Sequence, residues 1–272
     1  MNAPRPTHAP ALAPEAIGAA ASRALLRELA VWPKPGLVSH RDSGSHRDMD
    51  AATLRASALT LRPFFTALAA AGQGGAAMDR LRAIGLQAEA AMLRATGGVN
   101  THRGAIFGLG LLAAAAGSGA APAALGRVVA ARWGAAIGRG PVPLFSHGSQ
   151  ALRRYGAGGA RAEAMAGFPS VYEIALPALR RAASAQEGAV QACFALIAQV
   201  SDTNLLHRGG ADGARFAAAQ AADFLATGGV HAPGWQARAA SVHDAFVARH
   251  LSPGGCADLL AMALFIDALA GP

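Results

Sequence analysis

The chain of 272 residues is long enough for one large domain or two small ones. Its residues are 53% hydrophobic but only 6% aromatic and 15% charged, so closely packed alanine-rich helices, rather than large rings, must build the core. The net charge of +8 admits nucleic acid, an anionic membrane or a small polyanion as a partner, and the placement of the charges has to decide among them.

Apolar residues recur at helical spacing in ten blocks, and none of these blocks shows sustained strand alternation. The blocks cover residues 15–31, 50–72, 78–96, 104–117, 121–137, 171–183, 187–200, 212–226, 235–250 and 254–270. Ser170 and Ser184, each three residues before a glutamate, predict capping boxes, and Ser252-Pro253 predicts an N-cap followed by proline. The sequence therefore predicts an all-α fold. We expect a single-domain bundle of about ten helices over residues 15–272, with a polar active-site cleft formed by inter-helix loops.

The ends and cysteines of the chain indicate its compartment. Residues 1–14 are rich in Pro and Ala and lack the features of a signal peptide, so they predict a disordered leader. The longest uncharged stretch, 104–126, is alanine-rich and interrupted by glycine and proline, which argues against a membrane span. Cys193 and Cys256 stand in apolar helical contexts and predict free, buried thiols. Together these features predict a cytoplasmic protein that does not enter a membrane.

Polar residues are scarce in this chain and concentrate between the predicted helices. The segment 32–50, WPKPGLVSHRDSGSHRDMD, contains Lys34, the only lysine among the basic residues. Its two prolines restrict the backbone, so we expect an exposed, fixed platform for charged side chains rather than a core segment. A lone lysine in an arginine-rich chain marks either a position that needs an ammonium or chance survival.

Two further polar clusters precede apolar helices. TGGVNTHRG at 96–104 would present exposed amides at a helix N-terminus, which suits an anion. It follows Glu89, a carboxylate within an otherwise apolar helix. SDTNLLHRGG at 201–210 offers Asp, Thr and Asn oxygens to a hard cation and Arg208 to a phosphate, with a glycine-rich turn expected at 208–213. Smaller clusters surround Arg161 and the segment SPGGCAD at 252–258.

Each cluster also has an ordinary structural explanation. Glycine-rich polar loops are usually turns, Glu89 fits a solvated helix face, and Arg161 could pair with Glu163. The surroundings of His40 and His46 disfavour zinc. Basic residues are spread singly along the chain without interleaved aromatics, so we expect no nucleic-acid partner and favour a small anionic substrate. The concentration of Asp, Asn, Thr, His and Arg in five loops supports a functional site.

Taken in order, WPKPGLVSHRDSGSHRDMD, TGGVNTHRGAIFGLG, YGAGGARAEAMAGFPSVYEIALP, SDTNLLHRGG and SPGGCADLLA resemble the triphosphoribosyl-dephospho-CoA synthase family. The resemblance runs from about residue 28 to residue 267, and the first two segments are the most specific. The form from Asp42 to His46 looks more like the malonate decarboxylase branch than the citrate lyase branch. Cys256 departs from an expected small polar residue, and Arg103 stands where lysine is common.

The resemblance implies transfer of the 5-triphosphoribosyl group of ATP to the 2′-hydroxyl of 3′-dephospho-CoA with release of adenine. The product would be the prosthetic-group precursor of a decarboxylase or lyase acyl-carrier subunit. Breaking the ribose–adenine bond develops oxocarbenium character, so the reaction needs a carboxylate base for the hydroxyl and a donor for the purine. Both substrates are polyanions, which gives the positive charge a purpose, and Mg²⁺ is the expected cofactor.

Glu89, Asp48 and Asp202 are the candidates for the base or the metal ligands, and we expect all three in one pocket. We favour Glu89 as the base and Asp48 and Asp202 as Mg²⁺ ligands. The expected substrate-binding residues are Lys34, His46, Asn100, Thr101, His102, Arg103, Arg161, Thr203, Asn204, Arg208 and Gly209. A helical metal-dependent nucleotide or ADP-ribose hydrolase and a basic helical nucleic-acid binder are the competing hypotheses. The sequence leaves the oligomeric state open.

Overall fold

The computed structural model describes residues 12–141, 154 and 157–271. Eleven α-helices lie wholly within these residues, which contain no strand, and this confirms the all-α prediction. They are α1 (Pro14–Ala30), α2 (Ala51–Gln73), α3 (Met78–Ala95), α4 (Arg103–Gly117), α5 (Leu125–Arg139), α6 (Gly159–Ala166), α7 (Leu176–Arg180), α8 (Ala185–Gln199), α9 (Thr203–Ala226), α10 (Trp235–Ala248) and α11 (Gly254–Ala270). Two 3₁₀ helices, Pro122–Ala124 and Gly229–His231, and a π-helical segment, Ser170–Ala175, complete the helical elements.

Helical spacing located most helices well. The first four predicted blocks match α1 to α4 to within one residue at each end, and the last block coincides with α11. The block 121–137 divides into a 3₁₀ turn and α5. The predicted disordered leader lies outside the described residues up to residue 11, and Pro14 already begins α1.

The glycine-rich segments gave the main errors. The turn expected at 208–213 is met only by a kink at Gly210, where φ is 62° and ψ is −162°, because α9 begins at Thr203 and is helical on both sides of this residue. Helix α6 was missed because its eight residues, GARAEAMA, are too short and too poor in large apolar residues to show a helical period.

Side-chain caps explain where some helices begin. Asp50 accepts from Thr53 N at α2, and Ser184 accepts from Glu187 N at α8, which confirms that predicted cap. The predicted cap at Ser170 is wrong, because this hydroxyl donates to Glu163 and the chain there forms a π-helical segment. The predicted cap at Ser252 is also wrong, because α11 begins after Pro253 without a side-chain cap.

A single large apolar cluster extends from α1 to α11. Most residues of α4 are buried in it, as is the continuous stretch from Leu259 to Ile266 of α11. Helix α2 packs on α1 and α4, and α11 packs on α1, α4 and α8. The crossing of α2 and α4 is close, because a Cβ on Gly72 would lie 1.9 Å from the main-chain oxygen of Ala114. No helix in the described part of the chain is long and apolar enough to cross a membrane.

Both cysteines are free and buried, as predicted. Burial raises the pKa of the Cys193 thiol to about 12 and raises the pKa of Cys256 well above its usual value. Cys193 lies in α8 and Cys256 in α11, so both thiols remain protonated in the interior behind the polar loops.

Candidate active site

One cavity of about 260 Å³ collects the polar residues of four separated chain segments. Its walls come from α1, the loop 31–50, and the N-terminal ends of α4, α9 and α11. Eight residues predicted from the sequence line it, namely His46, Asp48, Asn100, Thr101, His102, Arg103, Asn204 and Arg208. The prediction of a polar cleft between helices is therefore met by the arrangement of the chain.

Three helices point their N-terminal ends toward this cavity. The first residues of α4, α9 and α11 are Arg103, Thr203 and Gly254. Unsatisfied N–H groups give each end a partial positive charge that attracts anions. Carboxylates of the protein already lie at all three ends, Asp202 at α9 and α11 and Asp258 at α4.

Asp202 joins two of the helix ends. Its Oδ1 accepts from Asn204 N at 2.7 Å and Leu205 N at 3.2 Å, and its Oδ2 accepts from Cys256 N at 2.8 Å. Burial raises the pKa of Asp202, and these N–H groups oppose the rise. Both oxygens are engaged with the backbone, so Asp202 acts as a helix cap and does not suit the metal-ligand role predicted for it.

Asp258, which was not selected from the sequence, lines the cavity and caps α4 from the neighbouring helix. Its carboxylate accepts from Ala105 N, and a Cβ on Gly104 would lie 2.0 Å from its Oδ2, so only glycine allows this approach. Burial, reinforced by the charges of Asp202 and Glu28, raises the pKa of Asp258 well above its usual value. No ion pair to Asp258 is formed within the described chain.

Lys34 is not the exposed residue that the sequence predicted. Its side chain is completely buried, and Nζ lies 2.5 Å from Glu28 Oε1 and 2.7 Å from the main-chain oxygen of Glu28. The first half of the loop, from Pro33 to Ser39, is buried as well, so the prediction that this loop lies outside the core is wrong. Glu28 lines the cavity, whereas Lys34 does not line it and contacts Glu28 instead.

A second buried contact fixes this loop. His243 of α10 is 2% exposed, its Nδ1 donates to the main-chain oxygen of Lys34 at 2.7 Å, and its Nε2 lies 3.2 Å from Asp42 Oδ1. A carbonyl oxygen only accepts, so Nδ1 must carry a proton. This anchor ties the buried half of the loop to α10.

His46 links the loop to α9 and α11. Arg208 Nη2 donates to its Nδ1 at 3.2 Å, so that nitrogen is unprotonated and Nε2–H donates to Ser252 Oγ at 2.9 Å. Burial and then Arg208 lower the pKa of His46, and Asp48, whose Oδ1 is 3.4 Å from Nδ1, opposes this. Arg208 also donates to Ser45 O and His250 O, which holds its guanidinium at the cavity edge.

His102 has a defined environment at the entrance to α4. Its Nδ1 is 2.7 Å from Ser57 Oγ on α2, and Thr101 Oγ1 donates to the same hydroxyl at 2.8 Å. The ring is 6% exposed. Burial and the charge of Lys34 lower the pKa of His102 to about 4, so the imidazole is neutral at physiological pH.

Glu89 does not line the cavity but contacts a residue that does. Its carboxylate forms an ion pair with Arg103, and Arg103, not Glu89, is among the lining residues. Asn100 Oδ1 accepts from Arg103 N at 3.2 Å, which shapes the first turn of α4. The expectation that Asp48, Glu89 and Asp202 share the pocket is therefore wrong, because only Asp48 lines it.

Three other predicted binding residues have contacts outside the cavity lining. Arg161 donates to Gly138 O, Gly140 O and Pro141 O at the C-terminal end of α5. Thr203 packs near Gly159, and a Cβ on Gly209 would lie 2.5 Å from Leu251 Cδ2. The alternative explanation of Arg161, a pair with Glu163, is not met, since Glu163 accepts from Ser170. The neighbouring Tyr155 and Gly156 lie outside the described residues.

Charge is divided across the cavity. We call Glu28 and Asp258 the acidic floor, because they are buried or partly buried, and Arg103 and Arg208 the basic rim, because they are exposed. A polyanion would meet the rim first, and a centre that becomes positive would be stabilised at the floor. Glu28 carried the same sequence signal as Glu89, a carboxylate inside an apolar helix, but the sequence did not show which of the two faces the cavity.

The donor set does not form a protein-only metal cage. No group of three His, Cys, Asp or Glu side chains in the described part of the chain is arranged to hold a metal ion. Asp202 is saturated by N–H donors, whereas Asp48 has a side chain that is 60% exposed at the cavity edge. Mg²⁺ often binds through one carboxylate together with substrate phosphates, and the residues present fit this mode.

Comparison with known proteins gives a consistent result. Residues 14–272 match the CitG family model, described as ATP:dephospho-CoA triphosphoribosyl transferase. A protein of Azotobacter vinelandii named probable 2-(5''-triphosphoribosyl)-3'-dephosphocoenzyme-A synthase is 41% identical, over 98% of this chain and 94% of its own length. The synthase of that name from Klebsiella pneumoniae is 40% identical, over 98% and 95% of the two chains. No solved structure matches the chain.

Proposed function

Because the chain belongs to the CitG family of ATP:dephospho-CoA triphosphoribosyl transferases, we propose that it transfers the 5-triphosphoribosyl group of ATP to 3′-dephospho-CoA. The C1′–N9 bond of ATP breaks and a bond forms between C1′ and the 2′-oxygen of the acceptor. The hydroxyl proton is transferred to a base and balanced by protonation of the departing adenine. The three phosphates stay attached to the ribose throughout the transfer.

The observation that carries this proposal is the division of charge in the cavity. An oxocarbenium-like ribose needs negative charge beside it, which the acidic floor of Glu28 and Asp258 supplies. The triphosphate needs positive charge farther out, which the basic rim of Arg103 and Arg208 supplies. A phosphoryl transferase would concentrate its cations at the reacting centre instead.

Asp258 is the base that this geometry favours for the 2′-hydroxyl. It lines the cavity, accepts one N–H from the backbone, and has a pKa that burial raises well above its usual value, which makes it a better proton acceptor. Glu89 competes for the role on sequence grounds, but its carboxylate is engaged with Arg103 and lies behind the lining. The two assignments are separated by the variants described in the Discussion.

Mg²⁺ would enter with the triphosphate. Asp48 and Asn204 are the lining residues whose oxygens suit a hard cation, and the ion would neutralise phosphate charge near the rim. The remaining contacts of the triphosphate are made by Arg103 and Arg208, and the acceptor extends from the cavity.

The product is a precursor of the prosthetic group of an acyl-carrier subunit, and the residues from Asp42 to His46 favour the malonate decarboxylase branch. The free buried thiols of Cys193 and Cys256 fit a reducing compartment, so we place the reaction in the cytoplasm.

The test is to incubate the purified protein with ATP, Mg²⁺ and 3′-dephospho-CoA and to quantify adenine and phosphate. Adenine should appear only when the acceptor is present, without phosphate or pyrophosphate. CoA is the matched control acceptor and should react poorly, because its 3′-phosphate crowds the neighbouring 2′-hydroxyl. Adenine release without an acceptor would indicate a hydrolase, and stoichiometric phosphate would exclude the proposed transfer.

A further inference from the structure

The hydrogen-bond chain from Thr101 to His102 favours one position for the imidazole proton. Thr101 Oγ1 donates to Ser57 Oγ at 2.8 Å, so the single proton of Ser57 is free to be given to another acceptor. The nearest acceptor is His102 Nδ1 at 2.7 Å. If Nδ1 accepts this proton, the neutral imidazole must carry its own proton on Nε2.

The surroundings of the ring hold this arrangement in place. Ser57 is completely buried, and the backbone N–H of His102 donates to Met92 Sδ. Both residues of the Ser57–His102 contact are therefore held in position. In the described part of the chain, Nδ1 is the ring nitrogen of His102 that hydrogen bonds a protein group. His102 is among the residues that line the cavity, and its Nε2 is not among the buried atoms that lack a partner. The buried positive charge of Lys34 further disfavours an imidazolium.

We infer that His102 is a neutral hydrogen-bond donor, fixed in its Nε2–H form by Ser57 and Thr101, that binds a ring nitrogen of the departing purine. When the C1′–N9 bond breaks, negative charge spreads onto N3 and N7 of adenine. A fixed N–H donor stabilises that charge without changing its own ionisation. This inference rests on the proposed function for the identity of the leaving group, whereas the Nε2–H form of His102 is argued from its hydrogen bonds and its burial, which do not depend on the reaction.

The protonation state is measured first, without substrates. Protein labelled with ¹⁵N in its histidines gives two-bond ¹H–¹⁵N correlations that distinguish the two neutral tautomers and the imidazolium. His102→Gln identifies the His102 signals, and the exposed His231→Gln serves as the matched control. We expect the Nε2–H tautomer, unchanged from pH 6 to pH 8. The Nδ1–H tautomer or an imidazolium in this range would overturn the inference.

The supporting hydroxyls are tested by the same signals. Ser57→Ala should shift His102 away from the pure Nε2–H tautomer, and Ser57→Thr, which keeps the hydroxyl, should restore it. Thr101→Val serves as the second variant if Ser57→Ala does not fold, because it removes the donor to Ser57 and should also mix the tautomers. An unchanged tautomer in a folded variant that lacks either hydroxyl would contradict the positioning role.

The purine contact is tested with ATP analogues in which N3 or N7 is replaced by CH. One analogue should lower kcat of the wild-type enzyme by about 10- to 100-fold, as expected for a buried donor left without its acceptor. The same analogue should cost His102→Gln much less relative to ATP. Equal penalties in both proteins would overturn the purine contact. Absence of any adenine release from wild type would instead reject the proposed function and leave the tautomer result intact.

Discussion

The ammonium of Lys34 lies 2.5 Å from the carboxylate of Glu28, and both side chains are buried at the base of the active-site cavity. Glu28 faces the cavity, so Lys34 stabilises the acidic floor without lining the cavity. Breaking a buried pair on one side leaves an uncompensated charge in the interior.

Lys34→Met should therefore lower the free energy of unfolding by about 3–5 kcal/mol, because Glu28 loses its only ion-pair partner in the described chain. Urea denaturation followed by circular dichroism measures this loss. The double variant Lys34→Met/Glu28→Gln should recover part of it, since no charge is then left unpaired. Wild-type stability in Lys34→Met would show that the pair contributes nothing to the fold.

Asp258→Asn should lower kcat by about 10²–10⁴ while leaving the apparent affinity for both substrates nearly unchanged, because it removes the proposed base but keeps a similar shape. Glu89→Gln is the matched carboxylate control and should retain kcat within about tenfold, since Glu89 acts through Arg103. Steady-state kinetics with adenine detection compares them. A large loss in Glu89→Gln together with near-normal turnover in Asp258→Asn would transfer the base role to Glu89.

Asp258→Asn should also raise the thermal midpoint at neutral pH by about 2–4 °C. The pKa of Asp258 is raised in the folded protein, so its protonated form is the one that folding favours. That contribution is present below the ordinary carboxylate pKa of about 4 and is lost as the pH rises through the raised value. The advantage of the variant should grow between acidic and neutral pH. A variant that is less stable than wild type throughout this range would contradict a cost of burying the Asp258 charge.

The two carboxylates expected to bind Mg²⁺ should behave differently. Asp48→Asn should raise the Mg²⁺ concentration needed for activity, with partial rescue at high Mg²⁺ and unchanged stability, because this side chain is 60% exposed. Asp202→Asn should lose about 1–3 kcal/mol of stability, because an amide cannot accept from Cys256 N while serving α9 with its single oxygen. Kinetics against Mg²⁺ and urea denaturation of both variants separate these effects. Rescue of Asp202→Asn by Mg²⁺ at normal stability would restore its role as a ligand.

The local sequence was sufficient to predict most of the helices and most of the loop residues that meet in the cavity. Helical spacing located α1 to α4 and α11, and the scarcity of polar residues identified His46, Asn100 and Arg208. The sequence could not show the roles of Asp202 and Asp258, because each caps a helix that is distant in the sequence. Only the packing of α4, α9 and α11 shows which N–H groups these carboxylates accept from. The same limit explains the error at Lys34, whose partner belongs to α1.

In the proposed transfer the bond broken lies at ribose C1′, and the triphosphate stays intact on the ribose. A single-turnover experiment with ATP labelled by ¹⁴C in adenine and ³²P in the γ-phosphate tests it directly. We expect ¹⁴C to appear as free adenine at the same rate and in the same amount as ³²P appears on dephospho-CoA. Release of ³²P as phosphate, or transfer of ³²P while ¹⁴C stays with the ribose, would contradict it.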